Sequence, residues 1–132
     1  MTSLRQTKDT NALLVSTLDN TIRLMDKGNG MLLQSYKEHV NQDYRIRSCL
    51  AMNDAYVVSG SEDGRIYIWD LLGGKVIHRL DAHNKKVASA VVVNDARKEW
   101  LSAGVDGNNL SGLIVLYYVV LIYVLGTVQV WG

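Results

Sequence analysis

Short apolar runs recur along this chain, each closed by a polar or glycine-containing turn. "ALLVSTL", "AYVVSGS" and "EWLSAG" are brief and rich in β-branched and aliphatic residues, as strands buried in a sheet should be. The runs that follow, "TIRLMD" and "RIYIWD", alternate, so that Ile22 and Leu24, or Ile66 and Ile68, fall on one face. Asp-Asn and Asp-Gly dipeptides separate the members of each pair, which predicts tight hairpins. "GNG" and "GG" mark a second turn, and "MLLQSYK" and "KVIHRL" supply an outer strand. No helical periodicity interrupts this pattern, so the predicted class is all-β.

The pattern repeats. "LLVSTLDNTIRLMDKGNGMLLQSYKEH" aligns without gaps on "YVVSGSEDGRIYIWDLLGGKVIHRLDAH", with Asp19, Met25, Asp26 and His39 each 44 positions before Asp63, Trp69, Asp70 and His83. A third copy begins at "KEWLSAGVDG". A period of this length, carrying four short strands, predicts a stack of four-stranded antiparallel meanders, each covering its neighbour's apolar face. The units expected are 1–38, with a truncated start, 39–82, and 83–132, incomplete and interrupted by an apolar insert at 108–126.

Serine before an Asp-Gly turn, a strand ending in Trp69-Asp70, and a histidine near each repeat boundary resemble the WD-repeat family. The resemblance departs at Met25, which stands where tryptophan is usual, and at Glu38-His39 and Ala82-His83, where Gly-His is usual. It implies a β-propeller fragment of about three four-stranded antiparallel blades, the last incomplete, from the end of a ring of seven. It also implies a hydrogen-bonded structural tetrad in each blade. The middle blade offers His39, Ser59, Asp63 and Trp69; the last offers His83, Ser102, Asp106 and Trp131. A Ser-His-Asp catalytic reading of these residues is set aside, because the tetrad accounts for all of them and nothing marks a cleft or an oxyanion hole. The expectation is therefore a non-enzymatic scaffold that binds proteins through loops between blades, with Asn41, Gln42, Asp43 and Tyr44, and Asn84, Lys85 and Lys86, as candidate contacts. A narrower resemblance, of "LLVSTLDNTIRLMDK" and "YKEHVNQDYRIRSCL" to one branch of the family, implies partners among mitogen-activated protein kinase signalling and pre-mRNA splicing components, in cytoplasm or nucleus.

Composition narrows the alternatives. Fourteen basic and 13 acidic side chains leave a net charge of +1, so no basic footprint points to nucleic acid. Three histidines and one cysteine lack the spacing of a zinc site, and neither metal nor cofactor is expected. Gly28-Asn29-Gly30 joins two strands with no helix after it, and is a turn rather than a phosphate loop. Cys49, within an apolar strand, is expected to be a small core residue.

One segment breaks the pattern. Leu113 to Leu125 consists only of Leu, Ile, Val and Tyr, and no charge follows Asp106. Removing the nineteen residues from Asn108 to Gly126 leaves "LSAGVDGTVQVWG", which aligns on "VSGSEDGRIYIWD". Three readings stand open: a membrane-spanning helix over 110–128, making the chain a small tail-anchored protein; a functional loop; and a block foreign to the working fold, such as a short in-frame intron. The closing of the repeat on excision favours the third.

Overall fold

The computed structural model describes residues 3–51, 54–81, 87–94, 99–106 and 109–117. Three antiparallel sheets follow one another along the chain. The first runs β1 (Ser3–Gln6), β2 (Ala12–Thr17), β3 (Thr21–Asp26) and β4 (Leu32–Tyr36), with strands adjacent in sequence order. The second repeats this with β5 (Ser48–Ala51), β6 (Tyr56–Ser59), β7 (Arg65–Asp70) and β8 (Val76–Asp81). Each is the four-stranded meander expected, and no helix occurs among the described residues.

The 44-residue period is written into the backbone. Positive φ recurs in equivalent pairs: Thr10 and Asp54 between the first two strands, Asn20 and Gly64 between the next two, Gly30 and Gly74 before the outer strand. The last turn also repeats its hydrogen bonds. Asn29 N–H donates to Asp26 Oδ1 at 3.3 Å and its equivalent, Gly73 N–H, to Asp70 Oδ2 at 3.0 Å, with Gly28 N–H adding a bond to Asp26 Oδ1 at 2.7 Å. Gly30 and Gly74 N–H each reach the carbonyl of the same aspartate at 2.9 Å. The aspartate closing each third strand is thus an Asx-turn residue, a local reason for its recurrence.

The two glycines of that turn are not equivalent in space. Both have φ near +70°, but a Cβ at Gly30 would meet nothing within 4 Å, whereas one at Gly74 would lie 2.6 Å from Gln34 Cδ. Gly30→Ala is expected to cost about 1 kcal/mol for the left-handed backbone alone. Gly74→Ala is expected to cost up to about 1 kcal/mol more, because the end of Gln34 must swing away and give up its bond to the Leu72 carbonyl. Urea denaturation of the two variants side by side measures the difference; equal losses would refute the steric argument.

Alternation sets the core. In β2, Ala12, Leu14 and Ser16 are buried while Leu13, Val15 and Thr17 are half-buried. Ala12 and Leu14, with Ile22, Leu24 and Tyr36, meet Val57, Tyr67 and Trp69 of the second sheet in one cluster. Val58, Ile66 and Ile68 are fully buried as well, so strands of the second sheet are covered on both faces. Cys49, on β5, is part of this interior. Polar ties cross the same boundary: Ser16 Oγ to Ser48 Oγ at 2.6 Å, Tyr36 OH to the Leu71 carbonyl at 2.5 Å, and Arg79 to Glu38 at 2.5 Å.

The third sheet contains β9 (Val87–Asn94), β10 (Glu99–Asp106) and β11 (Asn109–Tyr117), in the order β11-β10-β9, with β9 next to β5, β6 and β7. Here the structure corrects an expectation. The strand pairing with β10 is not "TVQVWG" but the first half of the apolar block: Ser102 pairs with Ile114 and Trp100 with Leu116. A hairpin forms between neighbours in sequence, and Leu-Ile-Val-Leu-Tyr has the β-branched and aromatic character that a pleated sheet accepts. The described part of the insert is therefore strand, and no described helix is long and apolar enough to cross a membrane. Residues 118–126 and "TVQVWG" lie outside the described residues.

Candidate functional site

The end of the first two blades that carries the β2–β3 turn, the β6–β7 turn and the loop from Lys37 to Arg47 gathers most of the polar side chains singled out from sequence. His39 is buried, its ring centre 5.2 Å from that of Trp69 in an edge-on contact. Neither ring nitrogen has a hydrogen-bond partner among the described residues. Burial outweighs the attraction of Asp63, Asp19 and Glu62 and lowers the His39 pKa to about 4.

Of the middle blade's tetrad candidates, His39 and Trp69 are in ring contact and Asp63 acts electrostatically on His39, but the hydrogen bonds of the set run elsewhere. Trp69 Nε1–H donates to the Lys37 carbonyl at 2.8 Å, fixing the start of the inter-blade loop. The Ser59 hydroxyl donates to the carbonyl of Gly60 at 2.9 Å. Asp63 accepts from Tyr67 OH at 2.8 Å and from Arg65 N–H at 3.0 Å, and these bonds outweigh burial and keep its carboxyl below the ordinary range. Of the last blade's set, Ser102 and Asp106 lie on β10, while His83 and Trp131 fall outside the described residues, as do Asn84, Lys85 and Lys86.

An equivalent clamp holds the turn aspartate in both blades. Arg23, four residues after Asp19, bonds it at 2.7 Å; Tyr67 stands four residues after Asp63. With the added hydroxyl of Thr17, Asp19 is pulled down to about 2. The shared position places a donor from the third strand over the hairpin turn, whichever side chain supplies it.

The loop residues divide. Asn41 is turned inward, its Nδ2–H reaching the Thr17 carbonyl at 3.4 Å and its backbone N–H bonded to Asn20 Oδ1 at 2.7 Å. Gln42, Asp43 and Tyr44 remain exposed. What holds them is a residue the sequence did not flag. Glu62 Oε2 accepts the consecutive backbone N–H groups of Gln42, Asp43 and Tyr44 at 2.5, 2.8 and 3.3 Å, a nest closed by a carboxylate. Ser61 adds a bond from Val40 N–H at 2.9 Å. Glu62 has Leu18 as its counterpart in the first repeat, so periodicity held no signal for it. No group of three histidine, cysteine or acidic side chains suited to a metal occurs among the described residues.

Two four-stranded meanders stacked face to face, with a 44-residue period in sequence and backbone, define propeller blades. Residues 30–70 match the model of the WD domain, G-beta repeat, and the two described blades have the four-stranded form of such repeats. Its sequence is similar to WD repeat domain-containing protein 83 of Homo sapiens, with 51% identity over 67 residues covering 51% of this chain and 21% of that protein. The WD repeat domain-containing protein 83 homolog of Dictyostelium discoideum is 32% identical over 106 residues, 80% of this chain and 32% of its own length. The chain thus spans between about a fifth and a third of these relatives. Among solved structures, the computationally designed Ika8 and Ika4 proteins both superpose with a TM-score of 0.65 at 28% identity over 86% of this chain, covering 32% and 63% of theirs.

Proposed function

We propose that this chain is a non-enzymatic protein-interaction platform whose contact surface includes the loop Gln42–Tyr44. WD repeat domains mediate protein–protein interactions, and WD-repeat proteins are generally scaffolds without catalysis. One observation carries the local assignment: three exposed loop residues are held in a fixed conformation by Glu62, so binding them costs little ordering entropy. By the sequence resemblance, the partners are proteins of mitogen-activated protein kinase signalling or of the splicing machinery, met in cytoplasm or nucleus; nothing is asked of nucleic acid directly.

The test is recovery of endogenous mitogen-activated protein kinases and spliceosomal proteins with the tagged full chain. The expected result is recovery with the native sequence and several-fold less with Gln42→Ala/Asp43→Lys/Tyr44→Ala. Glu62→Ala, which frees the loop without altering it, is expected to weaken recovery in the same direction. Recovery of neither protein class, or recovery indifferent to the loop, would refute the reading.

A further inference from the structure

The innermost strands of the two blades, β1 and β5, lie side by side along the line where a propeller has its axis. Ser48 N–H of β5 donates to Ser3 Oγ of β1 at 3.3 Å, and Ser48 Oγ also bonds Ser16 Oγ of the adjacent β2 at 2.6 Å. Beside this seam opens a cleft of about 260 Å³ lined by Ser3, Leu4, Arg5 and Arg47. Because Ser3 pairs with Ser16 at the end of β2, and Ser48 with Ser59 at the end of β6, the cleft lies at the end that carries the two hairpin turns and the Gln42–Tyr44 loop.

The charges at that end are unevenly matched. Asp19 is bound to Arg23 and Glu38 to Arg79. Glu62 is occupied by three backbone N–H groups, and Asp63 by Tyr67 and Arg65 N–H. Asp43 does not line the cleft. Arg5 and Arg47 are both exposed, and among the described residues neither guanidinium has an ion pair or a hydrogen bond. Ser3 Oγ already accepts from Ser48 N–H, so its own proton is available to the cleft. The lining therefore presents two guanidinium forks and a hydroxyl, all donors, with no side-chain carboxylate among them.

We propose that this cleft receives a carboxylate side chain from an acidic segment of a partner protein, which adds a charge-specific contact to the interaction platform and rests on that reading. A carboxylate fits two planar guanidinium groups better than a single charge does, because each can donate two parallel N–H bonds. Leu4, half exposed at the cleft wall, offers apolar surface to the methylenes of a glutamate. The openness of the cleft makes the contact sensitive to salt, since exposed ion pairs are screened within about 10 Å at 0.1 M ionic strength.

The probe is a fluorescein-labelled hexaglutamate peptide titrated against the full chain, with hexaglutamine as its uncharged counterpart. Saturable binding of hexaglutamate alone is expected, weakened about tenfold by Arg5→Gln/Arg47→Gln. Lys27→Gln/Lys75→Gln, which removes the same charge from turns at the opposite end, is expected to leave it within about twofold. Both pairs of substitutions are at the surface, and a thermal melt of each confirms the fold. Equal loss in the two variants, or equal binding of hexaglutamine, would overturn the proposal. The outcome is independent of the loop experiment: loss of partner recovery on loop substitution speaks to the platform, and the arginine dependence speaks to the cleft.

Discussion

Trp69→Ala is expected to lower the unfolding free energy by about 4 kcal/mol, the largest effect of any single substitution in the described blades. Trp69 is fully buried, and three rings surround it: Tyr36 at 6.1 Å edge-on, His39 at 5.2 Å edge-on and Tyr67 at 5.9 Å in a stacked arrangement. Truncation removes the side chain that joins both sheets, and the aromatic neighbours, anchored to their own strands, cannot collapse fully into the space. It also orphans the Lys37 carbonyl, which accepts the indole N–H. Trp69→Phe separates these contributions: it keeps most of the packing, loses the bond, and is expected to cost about 2 kcal/mol. Urea denaturation followed by far-ultraviolet circular dichroism gives both values. Similar costs for the two variants would mean that the hydrogen bond, not the packing, dominates. A domain stabilised by about 5–15 kcal/mol overall has little margin for the alanine change.

The parts of this fold legible in sequence are those that repeat. Strand order, turn positions and the inward faces of β2, β3 and β7 follow from an alternation of period two nested within a period of 44. Even the Met25 departure leaves the architecture intact, because the third strand needs an apolar side chain there more than it needs an indole. Single-copy features escaped. Glu62 works through three backbone N–H groups of another loop, and such a contact leaves no trace in a pattern of residue types. Asn41 resembled a surface residue but is pinned inward by Asn20 and Thr17 of the β2–β3 turn, 21 and 24 positions earlier in the chain. The apolar block shows the reverse relation. Register with the neighbouring repeat favoured leaving it out, yet a local hairpin needs only adjacent strands of suitable composition, and 109–117 supplies one. In the middle blade His39 meets Trp69 ring to ring, but Trp69 bonds the Lys37 carbonyl, Ser59 the Gly60 carbonyl and Asp63 the Tyr67 hydroxyl, and residue type does not encode those partners.

Acidification from pH 7 to pH 5 is expected to remove about 2 kcal/mol of stability through His39 alone, and about 3 kcal/mol once its folded pKa is passed. An unfolded histidine takes up its proton near 6.5, while His39 in the folded blade stays neutral down to about 4. Between those values the unfolded chain binds more protons than the folded one, so stability rises with pH across the window and falls as pH drops through it. The cause is burial: the ring is 2% exposed, and neither nitrogen has a partner to share the charge. Asp63, Asp19 and Glu62 soften the penalty without abolishing it. The carboxylates held low act in a separate window. Asp19, at about 2, stabilises the fold above 3.8 and loses that contribution only below it. His39→Leu isolates the effect, because it keeps an apolar side chain against Trp69 and removes the titrating group. Its unfolding free energy should be nearly flat from pH 7 to pH 5, and at pH 5 the variant should be the more stable of the two. A native chain whose stability does not change over that range would show that His39 is protonated in the folded state, with a partner for its charge.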